Sequence, residues 1–289
     1  MPAPQTDQSR QAVGQEAFAA PCHIGAVALR VADLAAMAAF YRDRIGLAVI
    51  ARTPERATLG VAGWPLLHLL AGAVRPTSPA GLFHLALVLP SRAALADWFA
   101  HAAGTGLALE GASDHLVSEA LYLSDPEGNG IEIYRDRPRA DWPRRDGRIA
   151  MATERLDLAA LLQEAAGGSY PGLPDGTRMG HVHLRVGDTL AAEAFYRDAL
   201  GFDLTVRYPG ASFFASGGYH HHIAVNVWSS RGAGARGPGE AGLDHVEIVA
   251  SREPDLAALR ARMLAAGGAD DGEAVTVADP WGNRLRLRR

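Results

Sequence analysis

Cysteine occurs once in the 289 residues, at Cys22. A single thiol excludes an internal disulfide framework and any multi-thiolate metal site, and Cys22 is expected to be a small buried apolar residue. Long apolar runs are missing too. Nothing approaches the roughly 20 residues that a membrane-spanning helix needs. The opening stretch MPAPQTDQSRQAVGQEAFAA has neither the basic start nor the continuous apolar core of a targeting segment. A flexible tail over residues 1–21, a cytoplasmic location and no membrane partner are the expectations. Nor is there a strong charge of either sign: the net charge is −4 with 21% charged residues, which leaves no footprint for nucleic acid. The rest of the composition, 48% hydrophobic in a chain long enough for two domains, is that of an ordinary globular protein.

What the chain does contain is a long internal repeat. Ile24–Leu47 (IGAVALRVADL…AFYRDRIGL) matches Met179–Phe202 (MGHVHLRVGDT…AFYRDALGF) at an offset of 155, and Asp125–Gly130 (DPEGNG) matches Asp279–Arg284 (DPWGNR) at an offset of 154. The repeating unit is therefore half the chain. The copies differ where a metal could be held: His181 stands where the first copy has Ala26, and Glu132 stands where the second has Arg286.

Each copy opens with alternating apolar residues that predict a strand, Val27–Val31 and Val182–Val186. Asp33 and Asp188 then occupy helix N-cap positions ahead of Ala-rich stretches that end in FYRD, and Gly46 and Gly201 mark the helix ends. Strand candidates follow, among them Leu66–Leu70 and Ile223–Trp228. The same order restarts inside each copy, with strands at Gly81–Val88 and Gly242–Val249, helical windows at Ala93–Ala103 and Glu253–Ala266, and a closing strand after the DPxGN turn, whose Gly and Asn suit a hairpin. This predicts four βαβββ-like units starting near 24, 82, 180 and 243, two in a domain over 22–135 and two in a domain over 179–289. The linker, 136–178, carries a short helix candidate at Leu156–Ala165 and reads as packing on the surface. Ser229–Gly242 is Gly-rich and expected to be a mobile loop.

Strand alternation decides which side chains can meet. If the first strands of two units lie side by side in one sheet, His84, His181 and Glu132 can converge from three strands. Two imidazoles and one carboxylate leave coordination positions open, the arrangement that suits non-haem Fe(II) acting on oxygen. The plainer reading of a lone histidine on a half-buried strand is a hydrogen-bonded core residue, and it is the reading given to His68, His183 and His245. Glu132 between Ile131 and Ile133 is different: facing inward it is costly to bury without a cation, and facing outward it is simply solvated. The run Tyr219-His220-His221-His222 is either a surface cluster or part of the unit that holds His181.

These segments, together with GLFHLALVLP, SDHLVSEALYLSDPEGNGIEIY and GGYHHHIAVNVW, resemble the vicinal oxygen chelate superfamily and, within it, the two-domain extradiol catechol dioxygenases. The resemblance covers roughly residues 22 to 289. It implies an α+β fold in which four βαβββ modules form two paired curved sheets. It places the family's first-strand histidines on His181 and His84 and its final-strand glutamate on Glu132. The acid–base histidine falls on His221 in the His220-His221 segment, a second histidine near substrate on His115, and an active-site tyrosine on Tyr122. The usual extradiol layout takes its carboxylate from the last unit, here Arg286, so units three and four would offer His181 and His245 without an acid. Units one and two would offer Ala26, His84 and Glu132, and only units two and three hold the complete set. The complementary pair, units one and four, with Ala26 and Arg286, is expected to be metal-free.

The implied activity is ring opening of a catechol-like aromatic diol by dioxygen in aromatic hydrocarbon catabolism, with Fe(II) as cofactor and Mn(II) as the variant. Phe213, Phe214, Ile223 and Trp228 are candidate lining. The alternatives are a glyoxalase-like lyase or isomerase on the same fold, which would more often supply two carboxylates, and a metal-free protein binding an aromatic drug, which would not need the His-His-Glu set. A homo-oligomer is the expected assembly.

Overall fold

A computed structural model describes residues 18–288. The expected tail therefore lies, over residues 1–17, outside the described residues. From Phe18 the chain already packs: Ala20 is buried and the Pro21 carbonyl accepts the Ser251 N–H. Cys22 is buried as expected, and burial pushes its thiol up to about 11.

Four βαβββ modules follow one another. Module one comprises β1 (Cys22–Val31), α1 (Leu34–Phe40) with a π-helical turn (Tyr41–Ile45), β2 (Ala48–Arg52), β3 (Arg56–Val61) and β4 (Trp64–Ala71). Module two comprises β5 (Gly81–Leu89), α2 (Arg92–Gly104), β6 (Gly111–Asp114), β7 (Ser118–Ser124) and β8 (Gly130–Asp136). The linker contributes a small hairpin, β9 (Arg144–Arg145) and β10 (Arg148–Ile149), then β11 (Glu154–Arg155) and the short α3 (Leu158–Leu162). Module three comprises β12 (Arg178–Arg185), α4 (Thr189–Glu193) with a π-helical turn (Ala194–Ala199), β13 (Asp203–Tyr208), β14 (Ala211–Ala215) and β15 (Ile223–Asn226). Module four comprises β16 (Gly242–Ala250), α5 (Glu253–Ala265), β17 (Ala269–Asp270), β18 (Ala274–Ala278) and β19 (Arg284–Arg288). Among the described residues, no helix is long and apolar enough to cross a membrane.

The repeated motifs form one lock in each copy. Asp33 and Asp188 cap their helices, each accepting two backbone N–H groups of the first turn. In the π-helical turns the fully buried Tyr41 and Tyr196 donate their hydroxyls to Asp125 Oδ2 and Asp279 Oδ2, both at 2.9 Å. Those aspartates open the DPxGN turns, where Oδ1 accepts the N–H of Glu127 and Asn129 in one copy and of Trp281 and Asn283 in the other. The turn is thus a five-residue loop organised by a buried carboxylate, wider than a two-residue hairpin. FYRD and DPxGN tie module one to two and module three to four.

The sheets cut across the sequence copies. One has the order β17-β18-β19-β16-β1-β4-β3-β2 and joins modules four and one; the other has the order β11-β6-β7-β8-β5-β12-β15-β14-β13 and joins modules two and three. Segments 22–135 and 179–289 are units of repetition, and each gives one module to each sheet. At the junctions β1 runs antiparallel to β16, and β5 antiparallel to β12 with His84 opposite His183. One face of each strand feeds a continuous apolar core: Leu85 and Leu87 of β5, Ile131 and Ile133 of β8, and Val182 and Leu184 of β12 all belong to it. The opposite face is left for polar residues. The Gly-rich stretch 229–242 is tethered: Arg236 donates to the Ala241 and Leu243 carbonyls, and buried Glu240 accepts the N–H of Thr77 and Gly237.

Candidate metal centre

On β5, β8 and β12 the residues facing away from the core are His84, Glu132 and His181. Glu132 lies beside Ala86, and Ala86 beside His181, so the three strands deliver three donors to one spot. Their ligating atoms lie within 4.8 Å of one another. His84 Nε2 and His181 Nε2 each stand 3.1 Å from the same oxygen, Glu132 Oε2. Glu132 is only 3% exposed, and both imidazoles are buried. The close approach needs two glycines: a Cβ on Gly180 would collide with the Tyr134 hydroxyl, and one on Gly130 with the Phe83 carbonyl.

Burial alone would raise the Glu132 pKa, but the His181 and His84 imidazoles outweigh it and hold the carboxyl well below its ordinary range. Burial in turn lowers His181 despite the carboxylate beside it. The ionised carboxylate of Glu132 and the neutral imidazole that burial favours at His181 are the forms that ligate a metal. His84 Nε2 and His181 Nδ1 are buried without hydrogen-bond partners. His181 Nε2 hydrogen-bonds Glu132 Oε2, whereas His84 Nε2 stands beside the same carboxylate oxygen without a hydrogen-bond partner, which is costly in a buried site unless a cation sits there. The donor set therefore fits a divalent metal.

The other expected residues surround this spot. His115 Nδ1 donates to the Ala152 carbonyl at 2.7 Å, which leaves Nε2 as the acceptor for the Tyr122 hydroxyl, also at 2.7 Å. Burial, together with the Glu132 carboxylate, pushes Tyr122 well above the usual phenol range. The histidine run is buried, not on the surface: His220 and His222 are fully enclosed, and the His221 ring packs against His181 at a centroid distance of 4.2 Å. His183 is buried and within 3.0 Å of the Asn226 amide, as a core histidine should be. It also faces the site, because it shares the His181 side of β12.

A pocket of about 300 Å³ opens above the three donors. Phe213 and Trp228 line it as expected, whereas Phe214 and Ile223 point into the core. The alternation of β14 lets only one of two adjacent phenylalanines reach the pocket. Sequence reasoning missed Phe83, Val206 and Tyr208 on the wall, and it missed the linker's part altogether. Met151, Ala152 and Thr153 close one side, strapped down where β11 pairs with β6. The strap is held through the Ala152 backbone carbonyl, for which no residue type gives a signal.

The corresponding face of the other sheet carries His245 where module two has His84, Ala26 where module three has His181, and Arg286 where module two has Glu132. Its cavity, about 290 Å³, is lined by His68, Glu247, Arg56, Arg284 and Arg286 among others. His245 bonds to Asp244, and Glu247 is ringed by Arg288, His68 and His245 at 3.2, 3.7 and 3.9 Å.

The family model described as the Glyoxalase/Bleomycin resistance protein/Dioxygenase superfamily matches the chain twice, over residues 23–133 and 178–287. The chain is 42% identical over 253 residues to the catechol-2,3-dioxygenase of Bacillus subtilis (strain 168), spanning 85% of this chain and 88% of that protein. Its fold is similar to that of glyoxalase I from Zea mays, with a TM-score of 0.56, 16% identity, and coverage of 95% of this chain and 94% of that one.

Proposed function

The chain belongs to the glyoxalase/bleomycin resistance protein/dioxygenase superfamily, and we propose that it is a non-haem Fe(II) extradiol dioxygenase opening the ring of a catechol-like diol. The observation that carries this reading is the trio His84, Glu132 and His181, buried, mutually within 4.8 Å and carrying nitrogens with no other partner. Bound Fe(II), or Mn(II) in its place, would supply open coordination positions for the diol and dioxygen and the means to pass electron density between them.

The chain's own residues hold the substrate and manage its protons. Phe83, Val206, Phe213 and Trp228 form apolar walls that exclude water from the reacting ring. No arginine lines the pocket among the described residues, and the sequence contains no lysine, so the ring substituent it suits is uncharged. The Arg185 guanidinium stands behind the wall, 5.3 Å over the Phe83 ring. Tyr122 directs its one hydrogen at His115. Turning that hydrogen toward a diol oxygen would leave His115 Nε2 free to accept a proton from the substrate, so this pair serves as hydrogen-bond partner and acceptor together. His221, against His181, is the residue assigned to take a diol proton and return it as the ring opens.

A lyase of the glyoxalase kind would use a second carboxylate to move its proton, and Glu132 is the one acid in the donor group among the described residues. The test is direct. Protein loaded anaerobically with Fe(II) and then given catechol and air should yield yellow ring-opened product with one O2 consumed per ring. Inertness toward a panel of alkyl- and halogen-substituted catechols would overturn the assignment.

A further inference from the structure

Asp136 lies on β8 two steps of strand alternation beyond Glu132, on the same face, yet it does not reach the pocket. It is buried and faces the histidine run. Its Oδ2 accepts the Tyr219 hydroxyl at 2.7 Å, and its Oδ1 lies 2.8 Å from His220 Nε2. His220 Nδ1 in turn lies 2.8 Å from His221 Nδ1, and His221 reaches the pocket wall. The four groups form one line of hydrogen bonds, and its carboxylate end sets the direction in which the hydrogens point. A carboxylate only accepts, so His220 carries its hydrogen on Nε2 and its Nδ1 must accept. His221 then carries its hydrogen on Nδ1, and its Nε2 is bare.

We infer that Asp136 and His220 are positioning residues that fix His221 in the tautomer whose Nε2 faces the pocket as a proton acceptor. The inference rests on the proposed diol chemistry only for what the proton acceptor is used for. When a diol O–H breaks, its proton forms a bond to His221 Nε2 and the electron pair stays on the diol oxygen. The resulting imidazolium keeps its Nδ1 hydrogen on His220, whose Nε2 hydrogen stays on Asp136, so the new positive charge is balanced through one intervening ring. Return of the proton from Nε2 restores the starting state. The arrangement follows the logic by which a buried aspartate holds a catalytic histidine in the useful tautomer, extended by one imidazole.

Asp136→Asn tests this. The new amide can donate to His220 Nε2, which reverses both rings and puts a hydrogen on His221 Nε2. With Fe(II)-loaded protein and catechol, kcat should fall by about 10²-fold, while KM and iron content stay near the wild-type values. In a His221→Gln background the same substitution should cost nothing further, because the residue acts only through His221. Nitrogen-15 NMR of the metal-free protein should show His221 Nε2 unprotonated in the wild type and protonated in Asp136→Asn. A midpoint of thermal denaturation close to that of the wild type controls for folding of Asp136→Asn. Losses that multiply in the double variant, or a His221 ring protonated at Nε2 in the wild type, would overturn the inference. A wild type inert to every diol but with the expected NMR tautomers would overturn the proposed activity and leave the positioning role standing.

Discussion

The junction of β5 with β12 and the junction of β16 with β1 are built alike and hold opposite contents. The first gathers two imidazoles and a carboxylate around one point. The second places Ala26 and Arg286 at two of the three matching positions, and its remaining histidine, His245, is committed to Asp244. Glu247 lies near this second centre, but the cation beside it is already in the protein, the Arg288 guanidinium at 3.2 Å. The Tyr–Asp lock, the aspartate cap of the first helix and the module order are the same in both copies. What holds the fold together and what could hold a metal are therefore carried by different residues of one repeat, and either can change without the other.

The sharpest way to break this comparison is to remove one side chain from each centre. Glu132→Ala should abolish metal binding, measured by elemental analysis of protein purified with Fe(II), and turnover with it. Arg286→Ala should leave metal content at the wild-type level. Metal retained without Glu132, or lost without Arg286, would mean that the two junctions have been assigned the wrong way round.

A smaller effect tests whether the scaffolds are as alike as the geometry makes them. Tyr41→Phe and Tyr196→Phe each leave a buried aspartate oxygen short of one donor, which should cost about 1–2 kcal/mol in chemical denaturation. The two losses should be similar, with metal content unchanged in both. A much larger loss for one of them would show that the copies share the motif but not its weight in the fold.

The smallest effect is in the pH dependence of stability. Burial, with Arg56 adding to it, lowers His68 at the second junction from 6.5 to about 4. Its folded-state value is depressed, so its contribution is fully present above the unfolded value of 6.5. As pH falls toward 4 the unfolded chain takes up a proton that the folded chain refuses, and stability declines. His68→Gln should flatten part of that slope in urea titrations between these two pH values. An unchanged slope would show that His68 takes up its proton as readily in the folded protein as in the unfolded chain.

Most of the fold could be read from alternation, caps and turns, because those signals are local. The module starts at Cys22, Gly81, Arg178 and Gly242 fall within about two residues of the expected positions. His84, Glu132 and His181 were accessible for the same reason: each shows its face by its neighbours, Leu85, Ile131 and Val182, which the core claims. The hidden parts were those that depend on contacts between distant segments. Asp136 is an ordinary strand-end acid until β8 is known to pass the histidine run. Ala152 acts through a carbonyl that every residue possesses. His183 is a core histidine and a pocket wall at once, because the buried strand face it shares with His181 is the floor of the pocket.

Because each sheet takes one module from either copy, neither copy alone possesses a complete centre. His84 and Glu132 arrive on one, His181 and His221 on the other. Were the copies separate polypeptides, the centre would exist only as far as they found each other, and its abundance would follow their concentration. The segment from 136 to 178 makes that encounter intramolecular and permanent. Strapped across the pocket at Ala152, it also makes the tether itself part of what it assembles.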